Sequence, residues 1–384
     1  MNQKYSITAA YYITFILLGF TIAAEGATLL QLAENTLSTL DQISLIFFFG
    51  SLGYLFGSYA SGKIYDRIPG HKYMTMVFAV LAPAIVLVPV VTELWALLLI
   101  VLILGVVKGA LDVGCNTLLL WVHREKAGPF INGLHASFGL GAFIAPLIVE
   151  VIVKTTGDIH WVYWCGALMA VPLGIWLFLS PSPTARIAPE NQKDIPFPVA
   201  PLALMVLCFA FYVGAEAGYG NFIKTYMLIV NLGTESQGNF LNSAFWGFFT
   251  LGRLFGIWES TRLRALTLLY IHLAGCLASA LIVFLFPGSS TLLWTGTILL
   301  GIFLAPIFPA MLALSDERMH VTGSMAGWFL VGGSVGGMII PWGIGQAVVR
   351  FGAGAMTGII LACLLANLIS LVIFTRTPVR STTA

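Results

Sequence analysis

Charge is what this sequence has least of. Asp, Glu, Lys and Arg make up only 9% of its 384 residues, against 59% hydrophobic residues and a mean hydropathy of +0.94. A soluble domain devotes about a quarter of its residues to charge, so this chain is expected in a lipid bilayer, as a multi-pass membrane protein. A net charge of +2, with no long Lys/Arg run, gives no field for nucleic acid, and none is expected as a partner. Five cysteines, Cys115, Cys165, Cys208, Cys276 and Cys363, lie in apolar segments and form neither C-x-x-C nor C-x-x-C-H. They read as small buried hydrophobes rather than as disulfides or metal ligands. Catalytic signatures are missing as well: there is no H-E-x-x-H, no G-x-S-x-G, no grouped Cys/His set and no phosphate-cradling G-x-x-x-x-G-K-[ST]. An enzyme, a resident cofactor or metal, and ATP as the driving energy are therefore not expected. A sensor would need an output domain, and neither the segment 181–198 nor the tail TRTPVRSTTA is long enough for one.

What is abundant is apolar runs. A spanning helix takes about 20 mostly apolar residues, and that criterion selects twelve segments: 9–31, 43–65, 72–91, 95–122, 129–153, 160–180, 199–228, 239–259, 265–286, 290–314, 322–348 and 354–375. Only Lys4 precedes the first run, with no small-residue cleavage site, so that run is expected to be retained as a helix. The longest polar interruption, SPSPTARIAPENQKDIPF at 181–198, is rich in Pro and charge and reads as a linker between bundles 1–180 and 199–384. Lys and Arg sort unevenly among the loops. Lys4, Lys63, Arg67, Lys72, Arg124, Lys126, Arg186, Lys193, Arg262, Arg264, Arg318, Arg376 and Arg380 fall on the side of the termini, whereas Lys154, Lys224 and Arg350 fall opposite. Positive loops stay cytoplasmic, so both termini are expected in the cytoplasm.

The two halves also resemble each other. LGYLFGS at 52–58 is similar to LGRLFGI at 251–257, Gly141 and Pro146 match Gly336 and Pro341, and LG at 104–105 matches LG at 300–301. Ordered matches at a nearly constant offset indicate duplication. The expected fold is all-α: twelve transmembrane helices in two pseudo-symmetric six-helix bundles, the plan of a secondary transporter that holds its cargo near the midplane.

Charges inside spans mark candidate sites, because each costs about 2.5–3.5 kcal/mol at a bilayer centre unless it faces protein or water. Lys108 and Asp112 lie in the fourth span, Glu25 in the first, Glu216 in the seventh and Arg253 in the eighth. Gly105, Lys108, Gly109, Asp112, Cys115 and Asn116 recur at spacings of three and four, and so share one helix face. Lys108 is a candidate counter-ion of Asp112 when the site is empty, with a substrate ligand and a structural partner as the other readings. A carboxylate in low dielectric can load and release a proton, and its oxygens can equally ligate sodium.

The loop GKIYDRIPGHK, with Gly62, Asp66 and Arg67, resembles the major facilitator superfamily signature G-x-x-x-D-R-x-G-R-K, with one extra residue before Gly70. GALDVGCN at 109–116 resembles the G-x-L-E-x-x-x-N element of fucose–proton symporters and their sodium–glucose relatives. GLHASFGLGAFIAPL at 133–147, YVGAEAGYGNF at 212–222 and FWGFFTLGRL at 245–254 are similar to the same branch. The resemblance implies the major facilitator fold and a secondary active transporter, a proton- or sodium-coupled monosaccharide symporter working by alternating access.

It also implies roles for residues. Asp112 takes the position of the coupling acid, with Glu216, Glu25, Lys108 and His135 as further ion-coupling candidates. Asp66 and Arg67, with Gly62, look like a conformational latch, and Arg253 falls in its second-half counterpart. Sugar recognition asks for hydroxyl-matching polar groups and an aromatic face in a mostly apolar pocket. Gln31, Asn116, Asn221, Trp246 and Trp328 supply these as substrate-binding candidates. The protein is expected to act as a monomer in the plasma membrane, or the inner membrane of a bacterium. The competing reading keeps the fold and exports drugs or other amphiphiles in exchange for protons.

Overall fold

The structure, a computed structural model, describes residues 3–183, 199–319 and 321–378. The expected linker therefore lies outside the described residues from position 184 onward, as do Arg186, Lys193 and Arg380. Every regular element among the described residues is a helix: α1 (Gln3–Ala27), α2 (Leu29–Asn35), α3 (Leu40–Ile43), α4 (Leu45–Tyr65), α5 (Gly70–Leu87), α6 (Leu94–His123), α7 (Ala127–Thr156), α8 (His160–Leu179), α9 (Val199–Ile229), α10 (Glu235–Ser260), α11 (Ala265–Leu285), α12 (Ser290–Leu304), α13 (Ile307–Met319), α14 (Gly323–Phe351) and α15 (Gly354–Arg376). Among the described residues, eleven helical stretches are long and apolar enough to cross a bilayer. The segment expected at 239–259 forms α10, which has the length, at 26 residues, but a more polar sequence. Large apolar side chains such as Phe56, Leu99, Leu168 and Phe178 stand exposed on the helices, a surface that hydrocarbon tolerates and water does not.

Several expected spans are interrupted or shifted. The first is α1, which ends at Ala27 and passes through Thr28 into the short α2. The tenth breaks between α12 and α13 around Pro306, whose ring lacks an N–H and crowds the preceding turn. Gly157 and Gly352, with φ of 78° and 84°, end α7 and α14 in the positive-φ region that glycine adopts without a Cβ penalty.

The chain forms two compact units. Among the described residues, those up to 183 cohere with 220–247, and 199–219 cohere with those from 248 onward. Glycines set the closest helix crossings inside each, since in lipid it is small residues that let backbones approach. In the first unit, Gly53 on α4 faces the carbonyl of Leu102 on α6, and Gly141 on α7 faces that of Ile16 on α1. In the second unit, the matching Gly252 on α10 faces the carbonyl of Ile302 on α12, and Gly336 on α14 faces that of Ala210 on α9. A Cβ at any of the four would strike main chain. The glycines that matched in sequence thus make matching contacts within their own units.

Candidate functional site

The α4–α6 crossing fixes the register of the fourth span's polar face. Close approach at Gly53 brings Tyr54 over Asp112, and the Tyr54 hydroxyl donates to Asp112 Oδ2. Asn116, one turn along α6, donates from Nδ2 to Asp112 Oδ1 at 3.1 Å and to the Asp112 main-chain oxygen at 3.0 Å. Ser58 lies one turn beyond Tyr54 beside Gly109, where a Cβ would meet its Oγ at 2.7 Å, and that Oγ is buried without a hydrogen-bond partner. The result is a carboxylate held by two neutral donors, one hydroxyl and one amide. No Lys, Arg or His among the described residues forms an ion pair with Asp112.

This differs from the candidate Lys108–Asp112 pair. Lys108 is buried and donates from Nζ to Glu25 Oε1 on α1 at 2.6 Å. A spacing of four residues on one helix permits a pair without requiring it. The long lysine side chain reaches the neighbouring helix, and Asp112 is already engaged by two neutral donors. Near Glu25, one turn further along the chain, Thr28 Oγ1 and the Tyr163 hydroxyl lie 2.7 Å apart, joining α8 to the end of α1.

Three further candidates in the first unit, Gln31, Asn221 and Trp246, fall in or beside residues 220–247. Gln31 donates from Nε2 to Glu235 Oε1 at 3.1 Å. Asn221 is buried against Gly26, and Trp246 is buried against Gly220. In the second unit, Glu216 on α9 is half-buried and interacts electrostatically with Arg253 on α10 and with Tyr212. The Arg253 guanidinium also lies 4.6 Å over the Phe249 ring. The two in-span charges that the sequence left on separate helices are therefore neighbours. His135 meets the Phe15 ring edge-on with centroids 5.7 Å apart. Trp328, near the start of α14, is exposed. Gly62, Asp66 and Arg67 sit exposed at the α4–α5 turn, where Asp66 is the last cap of α4.

Sequence reasoning passed over several polar residues. Tyr54 and Ser58 look like ordinary members of an apolar helix until the crossing with α6 is known. Asn239, Asn242 and Ser243 did carry a signal, since their spacing places them on the same face of α10 as the candidate Trp246. His272 on α11 is buried, with Nε2 2.8 Å from Glu259 Oε2 and Nδ1 3.0 Å from the Phe303 carbonyl, tying α10, α11 and α12 together.

Apolar helices crossed at glycines, with carboxylates inside the spans held by hydroxyls, amides and buried cations, define a multi-pass membrane transporter. Comparison with known proteins gives the family. Residues 7–341 match the Major Facilitator Superfamily. Sodium-dependent glucose transporter 1 of Xenopus laevis is 30% identical over 355 residues, covering 84% of this chain and 72% of that protein. Its Homo sapiens namesake is 30% identical over 370 residues, covering 86% and 71%. Among solved structures, a mutant of the nucleoside transporter NupG superposes with a TM-score of 0.77 at 16% identity, over 98% of this chain and 99% of that one. A bacterial homologue of the human lysosomal transporter Spinster gives 0.75 at 12% identity, over 98% and 97%. The chain belongs to the Major Facilitator Superfamily, and it is a membrane transporter, not an enzyme.

Proposed function

We propose that this transporter is a symporter of a monosaccharide, driven by a proton or sodium gradient and working by alternating access, with Asp112 as the site where the cation loads. The observation that carries this reading is the bonding of Asp112. A carboxylate locked to a lysine or arginine already has its cation. Asp112 has only a hydroxyl and an amide for side-chain partners. Such a group exchanges a proton or ligates sodium without first breaking a salt bridge. Glu25 with Lys108, Glu216 with Arg253, and His135 are further members of the coupling set. The sugar reading draws on the two relatives named as glucose transporters. Asn116, Asn221, Gln31 and Trp246 supply the amide and aromatic groups that sugar hydroxyls and the ring's C–H face require. Gly62, Asp66 and Arg67 act as a latch at the α4–α5 turn, and the termini are cytoplasmic.

The test uses purified protein in liposomes, supplied with labelled hexose and deoxyhexose under separately imposed proton and sodium gradients. Accumulation above the equilibrium level is expected under one of the two gradients. If neither drives uptake of either sugar, the cargo assignment falls.

A further inference from the structure

Lys224 is only 2% exposed, on α9, in the stretch 220–247 that coheres with residues up to 183. Its Nζ donates to the main-chain oxygen of Ala27, the last residue of α1, at 2.6 Å. The final carbonyls of a helix lack intrahelical donors and form the negative end of its dipole, so an ammonium suits that position. Two carboxylates, Glu150 on α7 and Glu235 at the start of α10, interact electrostatically with Lys224. Each is held in turn: Asn239 Nδ2 donates to Glu150 Oε2 at 3.0 Å, and Gln31 Nε2 donates to Glu235 Oε1. Room for the lysine stem comes from Gly238, where a Cβ would meet Lys224 Cγ at 2.9 Å. Ser243 Oγ closes the same seam by donating to the Phe143 carbonyl at 2.7 Å.

One feature sets this seam apart from a permanent packing contact. Three of its amide oxygens, Gln31 Oε1, Asn221 Oδ1 and Asn239 Oδ1, are buried without a hydrogen-bond donor. Buried acceptors left unpaired disfavour the closed seam, and they regain donors once water or a hydroxylated solute reaches them. The opposing term is the charge-assisted bond from Lys224 to Ala27, with the two acids around it. Closure thus leans most on the one buried ammonium, beside the Asn239, Gln31 and Ser243 bonds, and opening is rewarded by hydration of three amides.

The geometry points to Lys224 as the bolt of a gate: its ammonium on the Ala27 carbonyl holds the ends of α9 and α10 against α1 and α7. Withdrawal of that ammonium parts the seam and exposes its amide oxygens to water and cargo. The gate lies at the end of α1 remote from the N-terminus.

Thr225, buried beside Lys224 on α9, gives the reporter. Thr225→Cys protein is reconstituted in liposomes and reacted with a membrane-impermeant maleimide, with labelling of the native cysteines subtracted using the parent chain. The labelling rate is compared with that of Thr225→Cys carrying Lys224→Met or Lys224→Arg. About tenfold faster labelling is expected with Lys224→Met, for reagent added on the face opposite the termini, and a rate nearer the parent with Lys224→Arg. An unchanged rate with Lys224→Met, or an increase only from the face of the termini, overturns the proposal. If Lys224→Met does not purify as a monodisperse protein, Glu150→Gln decides. It weakens the hold on the ammonium while keeping an oxygen for Asn239, and an unchanged rate there overturns the proposal too. The readout needs neither sugar nor driving cation, so its failure is separate from failure of the symport reading.

Discussion

A carboxylate inside an apolar helix survives only where donors meet it, and the two on α1 and α6 are met differently. Glu25 is held by an ammonium, Asp112 by a hydroxyl and an amide. The Glu25→Gln substitution leaves Lys108 buried without its anion, and a destabilisation of about 3–5 kcal/mol is expected. Adding Lys108→Met should restore most of that loss, because an uncharged pair needs no desolvation of charge. Thermal melts of the two variants in detergent check this, and equal destabilisation of both would show that the ion pair is not what the substitution breaks. The sequence exposed both acids and the lysine as anomalies of burial. It did not show which acid the lysine serves, since that depends on how α1 crosses α6, a distance no local pattern encodes. Lys224 was missed for a related reason: sorting cations by side of the membrane treats a lysine near a span end as a loop charge, whereas the fold folds it inward to Ala27.

At the scale of elements, helix existence was legible from apolar run length alone, and the close crossings were legible from repeated glycines. Gly53 and Gly252, matched by LGYLFGS and LGRLFGI, each lie against a neighbouring helix's main chain. Gly53→Val should therefore force α4 from α6, at a cost of about 1–3 kcal/mol or more, and disturb the Tyr54–Asp112 contact with it. Gly354→Ala, where no heavy atom lies within 4 Å, should change stability by less than about 0.5 kcal/mol. Comparing the melting temperatures of these two variants tests whether close approach, rather than glycine content, organises the fold. The interruptions were harder to read. Pro306 lies in the apolar stretch FLAPIFPA, which reads as one span until the proline's missing donor breaks it into α12 and α13. The polar face of α10 lowers its apolar signal for a structural reason, since Asn239, Asn242 and Ser243 are buried in contact with other helices rather than lipid.

For the whole molecule, the proposed orientation rests on the skew of Lys and Arg among loops. A cysteine replacing exposed Lys63 at the α4–α5 turn should react with an impermeant maleimide from the cytoplasmic face only, and reaction from the outside would reverse the assigned topology. The duplication legible in the sequence explains why matching glycines recur, but it does not make the two units chemically alike. One carries Asp112 with neutral partners, the other Glu216 beside Arg253. That asymmetry is the ground on which cation loading is proposed for Asp112. The most direct test compares wild-type and Asp112→Asn protein in liposomes, measuring gradient-driven accumulation and gradient-free exchange of the same labelled sugar. Loss of accumulation with exchange retained is the expected result, because an amide can accept hydrogen bonds but cannot carry the coupled charge. Accumulation equal to wild type under the same gradient would contradict it.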